Sequence, residues 1–322
     1  MTQVPTIHVV IVNWNAGLQL AKCLRSFAAV SQDAVALSRI TIVDNGSSDD
    51  SVSALDDLHG KLPLEIIRNS GNRGFAAACN QGARGSEADF LLFLNPDTLL
   101  YSGSLETPAR FLADATNSRV GIVGIQLVDG QGNVARNCAR RPTVWSMIGQ
   151  SVGLDRLGSS ICPPHFLIEW DHGDTRVVDQ VMGAFFFLRR SMFEKIGGFD
   201  ERFFVYFEDL DLAVRAREQG WTSVYIATAR AYHRGQGTTE QVKDVRLFYS
   251  WRSRILYAFK HFNVAGAAVI ALMTLLIEPL IRALVLLANN RPKEIGKVLR
   301  GNYLLWCNLA KIMRGDFRSP VV

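Results

Sequence analysis

The first hundred residues set four short apolar runs, HVVIV (8–12), RITIV (39–43), LEIIR (64–68) and DFLLFL (89–94), between helical patterns near 18–28, from about Asp50 and from about Phe75. Strands that are apolar over their whole length, and not only at alternate positions, are those covered on both faces. Alternating with helices, they predict a parallel sheet with helices on each side, the α/β class, and mark this part as a nucleotide-binding half. Ligands of such sheets sit in the crevice beyond the carboxyl ends of the strands. The residues arriving there are Asn13 and Asn15, Asp44 and Asn45, Asn69, and then Asn95, Pro96 and Asp97.

Familiar nucleotide folds are disfavoured. The turn VNWNAG has no GxGxxG, and neither GxxxxGKS nor GxxxxGKT occurs. A nucleotidyltransferase would need a Gly-rich, Arg-containing N-terminal loop that VNWNAG does not provide. Beyond Val120 the pattern predicts a strand IVGIQLV, a turn at DGQGN (129–133) and an irregular stretch to about Asp179, where an acceptor site or lid is expected. A strand GAFFFLR (183–189), a helix SMFEKIGGFD, a helix opening on Glu208, Asp209 and Asp211, and a strand TSVYIA (222–227) follow. With 322 residues and 48% apolar content the chain can bury a sizeable core. Its five cysteines show no CxxC pair or metal spacing, so reduced thiols are expected.

Several polar residues could carry chemistry. Ser47, Ser48 and Asp49 read as helix caps, whereas Asp44 at the sheet edge could accept a hydrogen bond from the imide N–H of a pyrimidine. Turn chemistry explains Asn95 and Pro96, but Asp97 at the same edge could ligate a divalent cation that neutralises a leaving diphosphate. His233 ends a strand, and Arg234 with Gly235 and Gly237 could wrap phosphate oxygens. Glu208, Asp209 and Asp211 stand where acids favour a helix start, and Asp211 is spaced to pair with Arg215.

As an ordered set, VVIVNWN, VDNGSSD, NRGFAAACNQG, LFLNPD, GAFFFLRRSMFEKIGGFDERFFVYFEDLDLAVRAREQGW and His233 resemble glycosyltransferase family 2, and within it the bacterial rhamnosyltransferase-like branch, over about residues 5–240. The resemblance implies a GT-A-type nucleotide-diphospho-sugar transferase domain and an inverting transfer with one carboxylate as base. By position, Asp44 matches the base-recognition Asp, with Asn13 and Asn15 in the same nucleotide pocket. Asp97 looks like the last residue of the DxD metal motif, and His233 like the histidine that completes the metal and diphosphate site. Arg73, Gly74 and Asn80 match the segment beside the donor sugar, and Asp209 the catalytic base, with Glu208 orienting it or the acceptor. Asp211 keeps the structural reading, as helix cap and partner of Arg215. The metal motif departs from many members, which carry Asp where this chain has Asn95, so Mg²⁺ or Mn²⁺ would rest on Asp97, His233 and the diphosphate itself.

The charge is uneven: residues 246–322 hold 12 Lys and Arg against three acids, a net of +9, and the rest has 23 against 27, a net of −4. A basic tail suits nucleic acid or an anionic membrane surface, and the uncharged run Val264–Ile277 favours the membrane over nucleic acid. That run is short for a span, and Glu278, Pro279 and Arg282 interrupt its continuation to Ala288. The expectation is a kinked, membrane-embedded or interfacial hairpin in which Glu278 and Arg282 neutralise each other. The expected division is therefore a catalytic domain over 1–245 and a membrane-associated helical tail over 246–322. The N-terminal segment has no basic region and only a short apolar run, so catalysis is expected at the cytoplasmic face. The resemblance then implies dTDP-rhamnose as donor and a lipid-linked saccharide of cell-envelope polysaccharide assembly as acceptor. A UDP-hexose or galactofuranosyl donor, or a non-catalytic sugar-nucleotide-binding protein, are the alternatives.

Overall fold

The computed structural model describes residues 4–30, 35–58, 60–156, 162–235 and 243–314. Its first half runs β1 (Thr6–Asn13), α1 (Leu18–Ser26), β2 (Ala36–Asp44), β3 (Leu64–Arg68), α2 (Phe75–Ala83), β4 (Phe90–Leu94), β5 (Thr98–Leu100), α3 (Glu106–Ala113) and β6 (Val120–Val128). Short strands β7 (Cys138–Ala139), β8 (Arg176–Val178) and β9 (Gln180–Val181) flank α4 (Val144–Val152). Then come β10 (Phe185–Arg189), α5 (Arg190–Lys195), α6 (Glu208–Glu218), β11 (Thr222–His233) and the helices α7 (Lys243–His261), α8 (Val264–Leu272), α9 (Glu278–Ala288) and α10 (Ile295–Arg314).

The sheet is ordered β3-β2-β1-β4-β10-β6-β11-β5, with β8 on β11. The four strands expected to be parallel are parallel, but β10 runs antiparallel between β4 and β6, so the whole sheet is mixed. Alternate side chains fill two cores. Val9, Ile11, Phe185 and Phe187 meet α1 and α3 on one face, while Val10, Val12, Phe186 and Leu188 meet α2, α5 and α6 on the other. Gly82 on α2 is required by this packing, because a Cβ there would stand 2.5 Å from Val10 Cγ1 and 2.9 Å from Val43 Cγ2.

Several local expectations are corrected. The helix from about Asp50 is a 3₁₀ turn at Ser53–Leu58, and Ser47, Ser48 and Asp49 cap no helix. They brace the β1–α1 loop instead: Asn15 N–H donates to Ser47 Oγ (2.9 Å), Ser48 N–H to Asn15 Oδ1 (2.7 Å) and Gly17 N–H to Asp49 (2.8 Å). The stretch from 129 to 179 is less irregular than expected, since it contains α4 with a Thr143–Ser146 capping box. β11 continues past Ala227 to His233.

Asp211 is no cap either. Its side chain is fully buried, accepts from Arg215 Nε (2.8 Å) as the spacing suggests, and also meets Lys260 Nζ (2.6 Å) and His261 Nε2 (2.8 Å) from α7. Burial alone would raise its pKa, but His261, Arg215 and Lys260 hold it below the usual carboxylate range. Around this polar clamp Tyr257 and Ala258 pack with Phe203, Leu210 and Val214, so α7 is seated on α6 by apolar contact as well.

Val264–Ala288 forms one 25-residue helix with a π turn at Met273–Ile277, of mean hydropathy 2.2, long and apolar enough to cross a membrane. Pro279 sits in its α9 segment without ending it, so the run is one continuous helix with a π turn and not a hairpin, and α10 packs against its α9 end. Glu278 pairs with Arg282 as expected (2.7 Å), and also with Arg254 of α7. Leu272, Leu276, Leu280, Leu284 and Leu287 remain exposed.

Removing the carboxylate from the Asp211 clamp takes one partner from each of Arg215, Lys260 and His261, although Lys260 keeps Asp200 and Arg215 keeps two carbonyls, a loss of about 1–3 kcal/mol. Asp211→Asn should therefore lower the urea midpoint of unfolding; an unchanged midpoint would mean that α7 is held by its apolar contacts alone.

Candidate active site

Parallel pairing sets Asn13 opposite Asp44 at the carboxyl ends of β1 and β2. Both are buried, and Asn13 Nδ2 donates to Asp44 Oδ1 (2.9 Å), Ser47 Oγ (3.0 Å) and Ser51 Oγ (2.8 Å). The amide thus holds one carboxylate oxygen of Asp44 in place. Asn15, left-handed at φ 50°, organises the loop beneath, as its bonds to Ser47 and Ser48 show.

Asp97 and His233 lie 136 residues apart in sequence and meet because β5 pairs antiparallel with β11, which puts Thr98 opposite His233. His233 Nε2 stands 3.4 Å from Asp97 Oδ1, and the Arg234 N–H donates to the Asp97 carbonyl (3.2 Å). The Arg234 side chain is exposed; Gly237 lies outside the described residues. Asn95 is joined to this pair through its own chain and to β10 by its N–H, which donates to Ala184 O (3.0 Å). No group of three or more His, Cys, Asp or Glu side chains forms a metal cage among the described residues. An Asp–His pair nevertheless suits Mg²⁺ or Mn²⁺ when phosphate oxygens and water complete the shell.

Gly74 lies at φ 86°, and a Cβ there would stand 2.6 Å from Phe204 O, the same carbonyl that accepts from Phe75 N–H. Only glycine lets the Arg73–Gly74 segment come against the aromatic run before α6. Arg73 reaches Gln81 Oε1 (3.4 Å). Asn80 is not brought to the carboxylates: its amide donates to Phe199 O (2.8 Å) and Glu201 Oε1 (3.1 Å) and accepts from Phe199 N–H (2.9 Å), bracing the turn after α5.

The start of α6 is the most constrained part. Tyr206 and Phe207 both adopt positive φ, 68° and 70°, a conformation that costs bulky residues roughly 1–3 kcal/mol each. The reversal drives Glu208 and Asp209 inward. Asp209 Oδ2 accepts from Gly183 N–H (2.9 Å), its Oδ1 from Leu210 N–H (2.8 Å), and Gln180 adds a side-chain hydrogen bond. Glu208 Oε2 is buried with no partner among the described residues.

These environments separate two adjacent acids. Burial, with the neighbouring Asp209 charge, pushes Glu208 well above the ordinary range; burial also raises Asp209, but the donors from Leu210, Gly183 and Gln180 oppose it. Glu208 is therefore the more readily protonated member of the pair. Asp209, Glu208, Asn95, His233, Gly183 and Tyr206 line a single cleft of ≈ 550 Å³.

Residues 8–197 match the family model described as glycosyl transferase family 2. The chain belongs to glycosyltransferase family 2. Similar proteins include the N-acetylglucosaminyl-diphospho-decaprenol L-rhamnosyltransferase of Mycobacterium tuberculosis, 28% identical over 70% of this chain and 75% of that one. The Escherichia coli rhamnosyltransferase WbbL is 27% identical over 47% and 54%. Among solved structures, a Pyrobaculum calidifontis mannosyltransferase in complex with GDP-Man and Mn²⁺ superposes with TM-score 0.54 at 16% identity, covering 98% of this chain and 86% of that one. GalNAc-T7 with UDP, GalNAc and Mn²⁺ gives 0.55 at 16%, over 80% and 51%. The mixed sheet is thus of the GT-A type, and this glycosyltransferase falls in the rhamnosyltransferase-like branch of its family.

Motif reading reached Gly183 only as the first residue of GAFFFLR, without a role, and did not reach Gln180 or Ser51. Their contributions are a backbone N–H and two side chains that become neighbours of Asp209 and Asp44 only on folding, and nothing in their local sequence marks them.

With Glu208 the more readily protonated of the two, infrared difference spectra through an acid titration should show Asp209 changing charge above the ordinary carboxylate range, at the same pH in wild type and in Glu208→Gln. A transition that moves down in the variant would mean that Glu208 is charged at neutral pH.

Proposed function

We propose that this glycosyltransferase moves L-rhamnose from dTDP-rhamnose, with inversion, onto a lipid-linked saccharide during cell-envelope polysaccharide synthesis. The observation that carries the chemistry is the seating of Asp209 on the Gly183 N–H in the cleft that also holds Asn95 and His233. An ionised, oriented carboxylate beside a diphosphate site can take the acceptor hydroxyl's proton as that oxygen attacks the anomeric carbon from the face opposite the departing nucleotide. Glu208, the more readily protonated of the two, leaves Asp209 as the local base. Asp44, held by Asn13, accepts from the pyrimidine imide N–H. Asn15 shapes the loop under the base, Arg73 and Gly74 run beside the sugar and diphosphate, and Asn80 positions that segment through the 199–201 turn.

Asp97 and His233 would hold Mg²⁺ or Mn²⁺, with Asn95 and Arg234 beside the diphosphate. The cation would neutralise charge on the leaving group. Mn²⁺ in the structures of the mannosyltransferase and of GalNAc-T7 supports this assignment. The choice of sugar follows the rhamnosyltransferase names among the relatives, and the lipid-linked acceptor follows the diphospho-decaprenol in the mycobacterial one.

In this reading residues 1–245 carry the chemistry and 246–322 the attachment to the cytoplasmic face of the membrane. The 264–288 helix lies in the interface, because α4 packs along α8, the π turn and α9. A crossing helix would take α4 and the Glu278 ion pairs into hydrocarbon with it.

Asp209→Asn should lower kcat by roughly 10²–10⁴-fold while leaving the affinity for dTDP unchanged in calorimetry. Near-normal turnover would remove Asp209 from the role of base. Exhaustive EDTA treatment should abolish transfer and Mn²⁺ or Mg²⁺ should restore it; activity that survives chelation would contradict the metal assignment.

A further inference from the structure

Asp209 is aimed by a turn that helix α7 holds from outside. Residues 200–207, between α5 and α6, form no helix or strand, so their backbone groups find partners elsewhere. Two of those partners stand on α7. Arg252, fully buried, donates Nη2 to Arg202 O (2.8 Å), and Ser253, also fully buried, donates its hydroxyl to Val205 O (2.8 Å). A serine inside a helix can return its hydroxyl to the carbonyl four residues back, but this one reaches across to the turn. Tyr249 stacks on Phe204, with ring centroids 4.9 Å apart and 13° between the planes, and Tyr257 meets Phe207 at 5.5 Å. Lys260 Nζ completes the series at Asp200 Oδ2 (2.6 Å).

These contacts bracket the strained pair. Tyr206 and Phe207 are left-handed, a conformation that persists in bulky residues only where the surroundings over-determine it. Ser253 fixes the carbonyl just before the pair, Tyr257 meets the ring of its second residue, and the Lys260–His261 clamp on Asp211 fixes the first turn of α6 after it. Phe204 O is held from the other side by Phe75 N–H (2.6 Å). Asp209 lies between the pair and the clamp, so its seat on Gly183 N–H depends on where the turn ends. Apolar contact is non-directional, whereas a hydrogen bond to a turn carbonyl fixes the position of the backbone.

We propose that Ser253 and Tyr249 of α7 are positioning residues for Asp209, holding the Val205–Phe207 turn that seats its carboxylate on Gly183 N–H. This rests on Asp209 being the base. Neither side chain lines the cleft, so both act through the turn. Helices α8 and α10 pack on the same α7, and the region assigned to attachment thus also sets the base.

Amide hydrogen exchange on the full chain in detergent reads the seat without any substrate. In Ser253→Ala the Gly183 and Leu210 N–H groups, both donors to Asp209, should exchange about tenfold faster or more, while Asn45 N–H, which donates to Asn13 O (2.8 Å), keeps its wild-type rate. In parallel, kcat for rhamnosyl transfer to a membrane lipid extract should fall roughly 10–100-fold with the donor KM unchanged. Tyr249→Leu should act in the same direction, and Tyr249→Phe, which keeps the ring, should recover most of the loss. Should Ser253→Ala misfold, the two Tyr249 variants carry the test. Folded variants with wild-type exchange at both amides would overturn the proposal. So would folded variants in which Asn45 quickens equally, since α7 would then support the fold at large and not the turn. Faster exchange at the two amides with unchanged kcat would uphold the seat and refute Asp209 as base. No transfer by wild type from dTDP-rhamnose would refute the donor reading, while the exchange result would still decide the seat.

Discussion

Everything at the cleft depends on β10 lying antiparallel between β4 and β6. The strand is FFFLR, and its three phenylalanines are buried, alternating between the two cores. Burying such a side chain is worth about 1.5–3 kcal/mol, so this insertion is strongly driven. Its entry puts Ala184 O against Asn95 N–H and Gly183 N–H against Asp209. A single strand start thus joins the nucleotide-binding half, ending in Asn95-Pro96-Asp97, to the helix that bears the acids. On the far side of β6, β11 reaches β5 and brings His233 to Asp97.

Helix α6 shows how environment divides three nearby acids. Asp211, one turn in, meets Arg215, Lys260 and His261 and is held ionised as a brace for α7. Among the described residues Asp209 accepts from neutral donors, which orient it without neutralising it. Glu208 Oε2 has no partner among the described residues, and burial favours its protonated form. A cation paired with Asp209 would lower its basicity. The left-handed Tyr206 and Phe207 place the carboxylate on a backbone amide and not on an arginine.

Much of this was legible in the chain. Apolar runs locate β1 to β4, and the rule that ligands sit at strand carboxyl ends points to Asn13, Asp44 and Asp97 as candidates. Asp211–Arg215 and Glu278–Arg282 followed from spacing four residues apart on a helix. Long-range partners were not legible. Lys260 and His261 on Asp211, Arg254 on Glu278, and Gly183 on Asp209 are tertiary contacts between segments whose local patterns do not refer to each other. The antiparallel sense of β10 was hidden for the same reason, since a fully buried strand reads alike in either direction. The stretch after Asp50 departs from its helical pattern because Ser and Asp, which favour caps, are bonded here to Asn15 and Gly17 across the loop.

The central claim is that one ionised carboxylate, Asp209, acts as base in a single displacement at the sugar's anomeric carbon. The most direct test is the anomeric configuration of the first-formed product, read by NMR from the one-bond carbon–proton coupling at that carbon and compared with that of the donor. One displacement assisted by Asp209 predicts inversion. Retention would require a second nucleophile in the cleft and would contradict the account.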